Sequence, residues 1–164
     1  MSIRCKPDSI VPFFAREEMD SLARMLKLDF PGFAYDLAYA AQIERINGGA
    51  PENKYFKMAS GQWHAIDRLL NFSSVQLLTE RWLQDLNVNV VWSAIEDRLD
   101  THLVPFAVCP FGDFLCFDYR HMASRPAVVW WSHELSREDE PSTINVAPNF
   151  DAFVVGLSDR APDH

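Results

Sequence analysis

The sequence predicts an α+β fold in one domain: a largely antiparallel sheet of about five or six strands packed with N-terminal and C-terminal helices. Three observations carry this. Two apolar runs flank Gly112-Asp113 between Leu103 and Tyr119, which is the pattern of a hairpin. A further apolar run, Val128-Val129-Trp130-Trp131, follows it, so strands neighbour one another in the chain instead of alternating with helices. Helical periodicity sits at both ends and in one or two inserted stretches, which argues against a doubly wound sheet. The 164 residues fit one domain. We divide them into an arm over 1–15, the domain over 16–157 and a tail over 158–164.

The arm holds Pro7, Pro12 and the apolar cluster Ile10-Val11-Pro12-Phe13-Phe14, which should pack on the domain. A first helix is predicted from about Arg16 to Leu26. Met19, Leu22, Ala23 and Leu26 fall at i, i+3, i+4 and i+7. Glu17, Glu18 and Asp20 lie in its first turns, where the helix dipole favours negative charge. Pro31 stops it. A second helix is predicted from about Gly32 to Ile46, with Phe33, Leu37, Ala40 and Ala41 in one stripe. It ends at Asn47-Gly48-Gly49, residues that tolerate the left-handed conformation closing a helix.

Lys54 to Ala59 is an extended candidate, and Ser60-Gly61 a turn. Between Gln62 and Phe72 the periods 2 and 3.6 compete, and both assignments stay open. Ser74 to Asp85 reads as helix, with Val75, Leu78 and Trp82 on one face. Val90 to Leu99 reads as another, with Val91, Ala94, Ile95 and Leu99 in line. Centring the hairpin turn on Gly112-Asp113 pairs Phe111 with Phe114, Pro110 with Leu115, Cys109 with Cys116 and Val108 with Phe117. Both faces are then apolar, and Pro110 falls at a non-hydrogen-bonded position. Ala127 to Trp131 is a strand apolar on both faces, and Ser132 to Pro141 a charged loop. Asn149 is placed to cap a last helix that turns Phe150, Phe153, Val154 and Leu157 inward.

Composition narrows the function. The net charge is −8 and the 15 Lys and Arg are scattered, so phosphate backbones and anionic membranes are not expected partners. Three cysteines, an odd number, argue against a disulfide framework and for reduced thiols in the cytoplasm. The basic N-terminus has no apolar run behind it, so no signal peptide is expected. No run of apolar residues reaches the length of a membrane span.

Chemistry-bearing patterns are sparse. Cys109, Cys116, Asp118 and His121 lie close together, but Cys-x6-Cys-x4-His matches no usual zinc loop. The flanking Phe, Val and Leu are the surroundings of buried thiols, so neither metal nor cofactor is expected. A cysteine nucleophile needs a base such as His102, His121 or His133, and apolar surroundings make a thiol inert. Phosphate-cradling glycine loops and the serine-hydrolase and zinc-protease motifs are missing from the sequence. Glu138-Asp139-Glu140 reads as a solvated loop whose use is as an acidic docking surface. Trp130 and Trp131, consecutive on a strand, point to opposite sheet faces; if one face lies open, its Trp is a partner-facing anchor. The predicted partner-binding set is therefore Glu138, Asp139, Glu140 and Trp131.

Several segments, in order, resemble the SUKH superfamily, the Smi/Knr-type domain of fungal cell-wall synthesis regulators and bacterial toxin-immunity proteins. They are a helix, the Phe30-Pro31-Gly32-Phe33-Ala34-Tyr35 segment, and a helix ending in Asn47-Gly48-Gly49. Then come Val104-Pro105-Phe106-Ala107, the Gly112-Asp113 turn, Phe114 to Tyr119, and Pro126 to Glu134. Ala147-Pro148-Asn149-Phe150-Asp151-Ala152-Phe153 with Leu157 resembles the last helix of the family. The family-motif positions are Asn47, Gly48, Gly49, Pro105, Phe106, Gly112, Asp118, Trp130, Phe150 and Phe153. Two departures stand out: the loop before Gly112 is short, and the stretch from about Ser73 to Leu99 is long. The resemblance implies a binding module with no catalytic residues. It points to a cytoplasmic immunity protein that binds and neutralises a cognate toxin domain of a polymorphic or contact-dependent system. Basic nuclease-like toxins are a class that a −8 protein would attract. The alternative is a regulatory or scaffolding module related to the cell-wall regulators. The second alternative is a small metal-dependent enzyme built on Cys109, Cys116 and His121.

Overall fold

The computed structural model describes residues 2–9, 11, 47–73, 75, 78–121 and 125–161. The helices predicted from about Arg16 to Leu26 and from about Gly32 to Ile46 lie outside the described residues, as do positions 74, 76 and 77 of the helix predicted from Ser74. The described strands are β1 (Tyr55–Lys57), β2 (Trp63–Ala65), β3 (Arg68–Leu69), β4 (Leu103–Val108), β5 (Phe114–Asp118), β6 (Ala127–Trp131) and β7 (Thr143–Ala147). The described helices are α1 (Arg81–Asp85), α2 (Val88–Ile95) and α3 (Phe150–Val155). Strands β3 to β7 form an antiparallel sheet in chain order, and β1 and β2 form a separate hairpin. The fold is α+β with a five-stranded antiparallel sheet.

The open stretch from Gln62 to Phe72 resolves as two short strands. Gly61, at φ +90, makes the preceding turn, where Met58 N donates to Gln62 O at 2.8 Å. Burial keeps neither period, since Ile66, Leu69 and Leu70 stand at i, i+3 and i+4; the backbone is extended because β2 pairs with β1 and β3 joins the sheet beside β4.

The two sheet faces follow from strand alternation. Leu115, Phe117, Val128 and Trp130 point to one side, Phe114, Cys116, Val129 and Trp131 to the other. On the first side α3 lays Phe150 and Phe153 onto Phe106 and Phe117; the Phe106 and Phe117 rings stack at 4.4 Å. The β1–β2 hairpin completes this cover, with His64 5.0 Å from Trp130. On the second side Trp131 lies under the 3-10 turn Glu96–Arg98. Its Nε1 donates to Arg98 O at 3.1 Å, and the Arg98 guanidinium sits over its ring at 5.7 Å. Trp130 and Trp131 thus point to opposite faces as predicted, but both faces are covered. Trp131 is 0 % exposed. Its prediction as a partner-facing anchor is corrected: the stretch after α2 roofs it.

The hairpin register is also corrected. Val108 pairs with Phe114, Ala107 with Leu115, Pro105 with Cys116 and Val104 with Phe117. The reversal uses all of 109–113 and not Gly112-Asp113 alone. Pro110 opens a 3-10 turn over Pro110–Gly112, where a missing N–H costs nothing. Phe111 and Gly112 both take positive φ, and Cys109 N closes the loop on Asp113 O at 2.8 Å. Pro105 is accommodated inside the sheet next to a bulge at Phe106, one of the places where a sheet tolerates proline.

Strand β7 was not predicted. Its residues are half-buried on both faces apart from Asn145, so it lacks the alternation that marks a strand. Helix α2 begins at Val88, two residues before its predicted start, because Asn87 caps it: the Asn87 side chain accepts from Asn89 N at 3.1 Å. Asn149 caps α3 as predicted, accepting from Ala152 N at 2.9 Å.

Candidate partner-binding face

The antiparallel register puts the β4–β5 turn and the β6–β7 loop at one end of the sheet, since Phe114 pairs with Trp131 and Trp131 with Thr143. This end carries the predicted acidic loop. The loop is built on two buried serines. Ser132 Oγ accepts from Leu135 N at 3.3 Å, and Ser136 Oγ from Ser142 N at 2.9 Å. Arg137 and Glu140 exchange backbone hydrogen bonds at 3.0 and 2.9 Å. Asp139 sits at φ 57, a region that Asp tolerates better than most residues, and its N–H reaches Asp97 O at 2.9 Å. With the backbone so tied, the Glu138, Asp139 and Glu140 side chains are turned outward and exposed.

Two further segments are fixed to this loop. His133 N donates to Asp113 Oδ1 at 2.8 Å, joining the β4–β5 turn. Arg98 Nη1 lies 3.3 Å from His133 Nδ1, joining the turn after α2. Across 96–98 and 132–140 stand Glu96, Asp97, Glu134, Glu138, Asp139 and Glu140 against Arg98 and Arg137. Two apolar side chains stand free among them, Phe111 at 89 % exposed and Leu135 at 65 %. Phe111 holds φ 65, a strained setting for an aromatic residue. Sequence reasoning missed it by placing Phe111 in a strand; the Pro110-Phe111-Gly112-Asp113 string was the turn signal available. Beside Phe111 a cleft of about 300 Å³ opens between the β4–β5 turn and the β1–β2 hairpin, with Asp113 on its wall. Burial pushes the Asp113 carboxyl above its ordinary range against the pull of the His133 N–H.

The family-motif positions have structural work. Asn47 is buried; its Nδ2 donates to Ser73 Oγ at 2.6 Å and its Oδ1 accepts from Phe72 N at 2.9 Å. Gly48 and Gly49 hold φ +83 and +101, and a Cβ on Gly48 would meet Val11 at 2.8 Å. Gly112, at φ +82, lies under the His133 ring. Asp118 is 5 % exposed. Burial pushes its carboxyl up, but two side-chain bonds from Arg120, at 2.9 and 2.8 Å, and one from the Arg120 N–H outweigh that and hold it below its ordinary range. Phe106, Trp130, Phe150 and Phe153 are core.

The cysteine and histidine cluster does not assemble. Among the described residues no group of three or more His, Cys, Asp and Glu side chains is placed to hold a metal ion. Cys109 is in the core beside the turn, Cys116 faces Pro105 across the strands, and Asp118 is taken by Arg120. Burial pushes the Cys109 and Cys116 thiols well up, and that of Cys5 up to about 11. Among the described residues no helix is long and apolar enough to cross a membrane.

A family model described as SUKH_6, SMI1-KNR4 cell-wall, matches residues 26–154. No curated protein and no solved structure matches the chain at a significant level.

Proposed function

The chain belongs to the SUKH_6 (SMI1-KNR4 cell-wall) family, and from that membership we propose that it is a non-catalytic immunity protein that binds and neutralises a toxin domain in the cytoplasm. The observation that carries the reading is the sheet end where six carboxylates stand against two guanidiniums on a backbone fixed from three segments. A rigid acidic surface is suited to occluding the working face of a basic protein, such as a nuclease-like toxin. The net charge of −8 would steer the encounter, most strongly at low salt. Glu138, Asp139 and Glu140 are the contact residues of this proposal.

The test is to co-express the chain with the toxic domain of a secreted protein from its own cell. Rescue of growth together with a purified complex supports the reading. Continued killing, with no complex by gel filtration, rejects it. The family description, which refers to the cell wall, favours a second reading as a regulatory or scaffolding module. Retention of wall-synthesis proteins on the immobilised chain, without toxin rescue, would select that reading.

A further inference from the structure

We propose that the cleft between the β1–β2 hairpin and the β4–β5 turn receives the guanidinium of one arginine presented by a basic protein partner. This rests on the reading of the chain as a protein-binding module. The cleft is lined by Trp63 and Phe111, with His64, Pro110, Asp113 and Tyr55 beside them, the Tyr55 ring already having Lys54 Nζ at 5.3 Å. At about 300 Å³ it is at the small end of ligand pockets, with room for one long side chain. Aromatic faces attract cations through their quadrupole, and a carboxylate supplies the charged acceptor. Asp113 Oδ1 is engaged by the His133 N–H, which fixes the carboxylate in place. Asp113 is 9 % exposed, so a partner cation would replace solvation that it lacks. Arginine fits better than lysine, because the planar guanidinium stacks on rings and is more weakly hydrated.

Phe111 is the second, independent observation. A non-glycine residue at positive φ carries backbone strain. The Phe111 ring, almost wholly in solvent, does little to offset that strain in its own fold. A strained, exposed aromatic at the mouth of a carboxylate-bearing cleft is accounted for by a contact made in a complex. The Glu134 carboxylate, near enough to act on Asp113, and the acidic 138–140 set on the same loop raise the local concentration of cationic partners.

The experiment titrates the full chain with N-acetyl-arginine methylamide and with the neutral citrulline analogue, followed by amide NMR. Saturable shifts are expected at the Trp63 indole and at the Gly112 and Asp113 amides, at least about fivefold weaker with citrulline. Asp113→Asn keeps an oxygen for the His133 N–H and should weaken the arginine probe by a similar factor without lowering the melting temperature. Phe111→Gly should move two readouts in opposite directions, raising the melting temperature and weakening the probe. Equal response to citrulline, shifts confined to other surfaces, or unchanged probe binding by Phe111→Gly overturns the proposal. The two readings fail separately. A toxin bound with unchanged Kd by both variants removes the cleft and leaves the immunity reading. An arginine-specific response in a chain that neutralises no toxin removes the immunity reading and leaves the cleft.

Discussion

Replacing Asn87 with Ala should cost about 3 kcal/mol of stability. Asn87 is 1 % exposed and works at both ends of its amide. Its oxygen caps α2 by accepting from Asn89 N. Its nitrogen donates to Ser73 O at 2.6 Å and to Asn71 Oδ1 at 2.9 Å. Loss of a cap costs about 1 kcal/mol. Each buried acceptor left without a donor costs roughly 1–3 kcal/mol. One cap and two acceptors at the low end give about 3 kcal/mol, a large part of the roughly 5–15 kcal/mol that holds a domain together. For a chain of this size that lowers the melting temperature by about 6–12 °C. Urea unfolding with a fluorescence readout measures it, with Asn89→Ala as the half-buried neighbour expected to change little. Asn87→Asp retains the capping oxygen and loses both donors, so it should remain well below wild type. A drop under about 2 °C for Asn87→Ala would refute the argument, because it would mean that water satisfies both acceptors at no cost.

The Asp118–Arg120 pair makes acid stability depend on Arg120. The folded Asp118 pKa lies below its unfolded value, so its contribution is present above the unfolded pKa, about 3.9, and is lost as pH falls through the folded value. Arg120→Gln should therefore lose more stability at pH 7 than near pH 2 in urea titrations, and an equal loss at both would reject the pairing. In the acidic loop, Glu138→Lys with Glu140→Lys and Asp139→Asn, which keeps a residue suited to φ 57, should slow association with a basic toxin at low salt while leaving the melting temperature within about 2 °C. An unchanged on-rate would remove this loop from the interface. All three thiols are buried with raised pKa, so a colorimetric thiol reagent at pH 8 should label none in the native chain and three in denaturant. Fast labelling of Cys116 before unfolding would contradict the packing.

What the sequence revealed depended on how far each element stands on its own residues. Strand β6 was legible end to end as an unbroken apolar run; helix α3 was legible at its start through Asn149 and the Phe150–Phe153 spacing, but it stops at Val155, before the Leu157 that the sequence places on its inner face. Strand β7 was not, because its two faces are almost equally buried and only Thr143, Ile144 and Val146 hint at a strand. The β4–β5 register differs from the predicted one because two turn signals compete there. Gly112-Asp113 looks like a two-residue turn, whereas Pro110 and a left-handed Phe111 lengthen it. The acidic loop could be read from composition, but the nearness of Glu96 and Asp97 to it could not. That follows from Asp139 N reaching Asp97 O, a contact between segments about forty residues apart. The roof over Trp131 is likewise a tertiary fact, supplied by Arg98.

Both margins of the five-stranded sheet are met by main chain from elsewhere. Leu69 N, on β3, donates to Gly49 O at 2.8 Å, and Asn145 O, on β7, accepts from Ala59 N at 2.9 Å. A bare margin recruits any extended peptide through generic backbone pairing, whatever its side chains. With each margin engaged at this point, less of it is left for edge-to-edge pairing with another copy. Under the proposed reading, discrimination between partners falls to side chains at the loop end, where a single substitution would change which partner is accepted without disturbing the sheet.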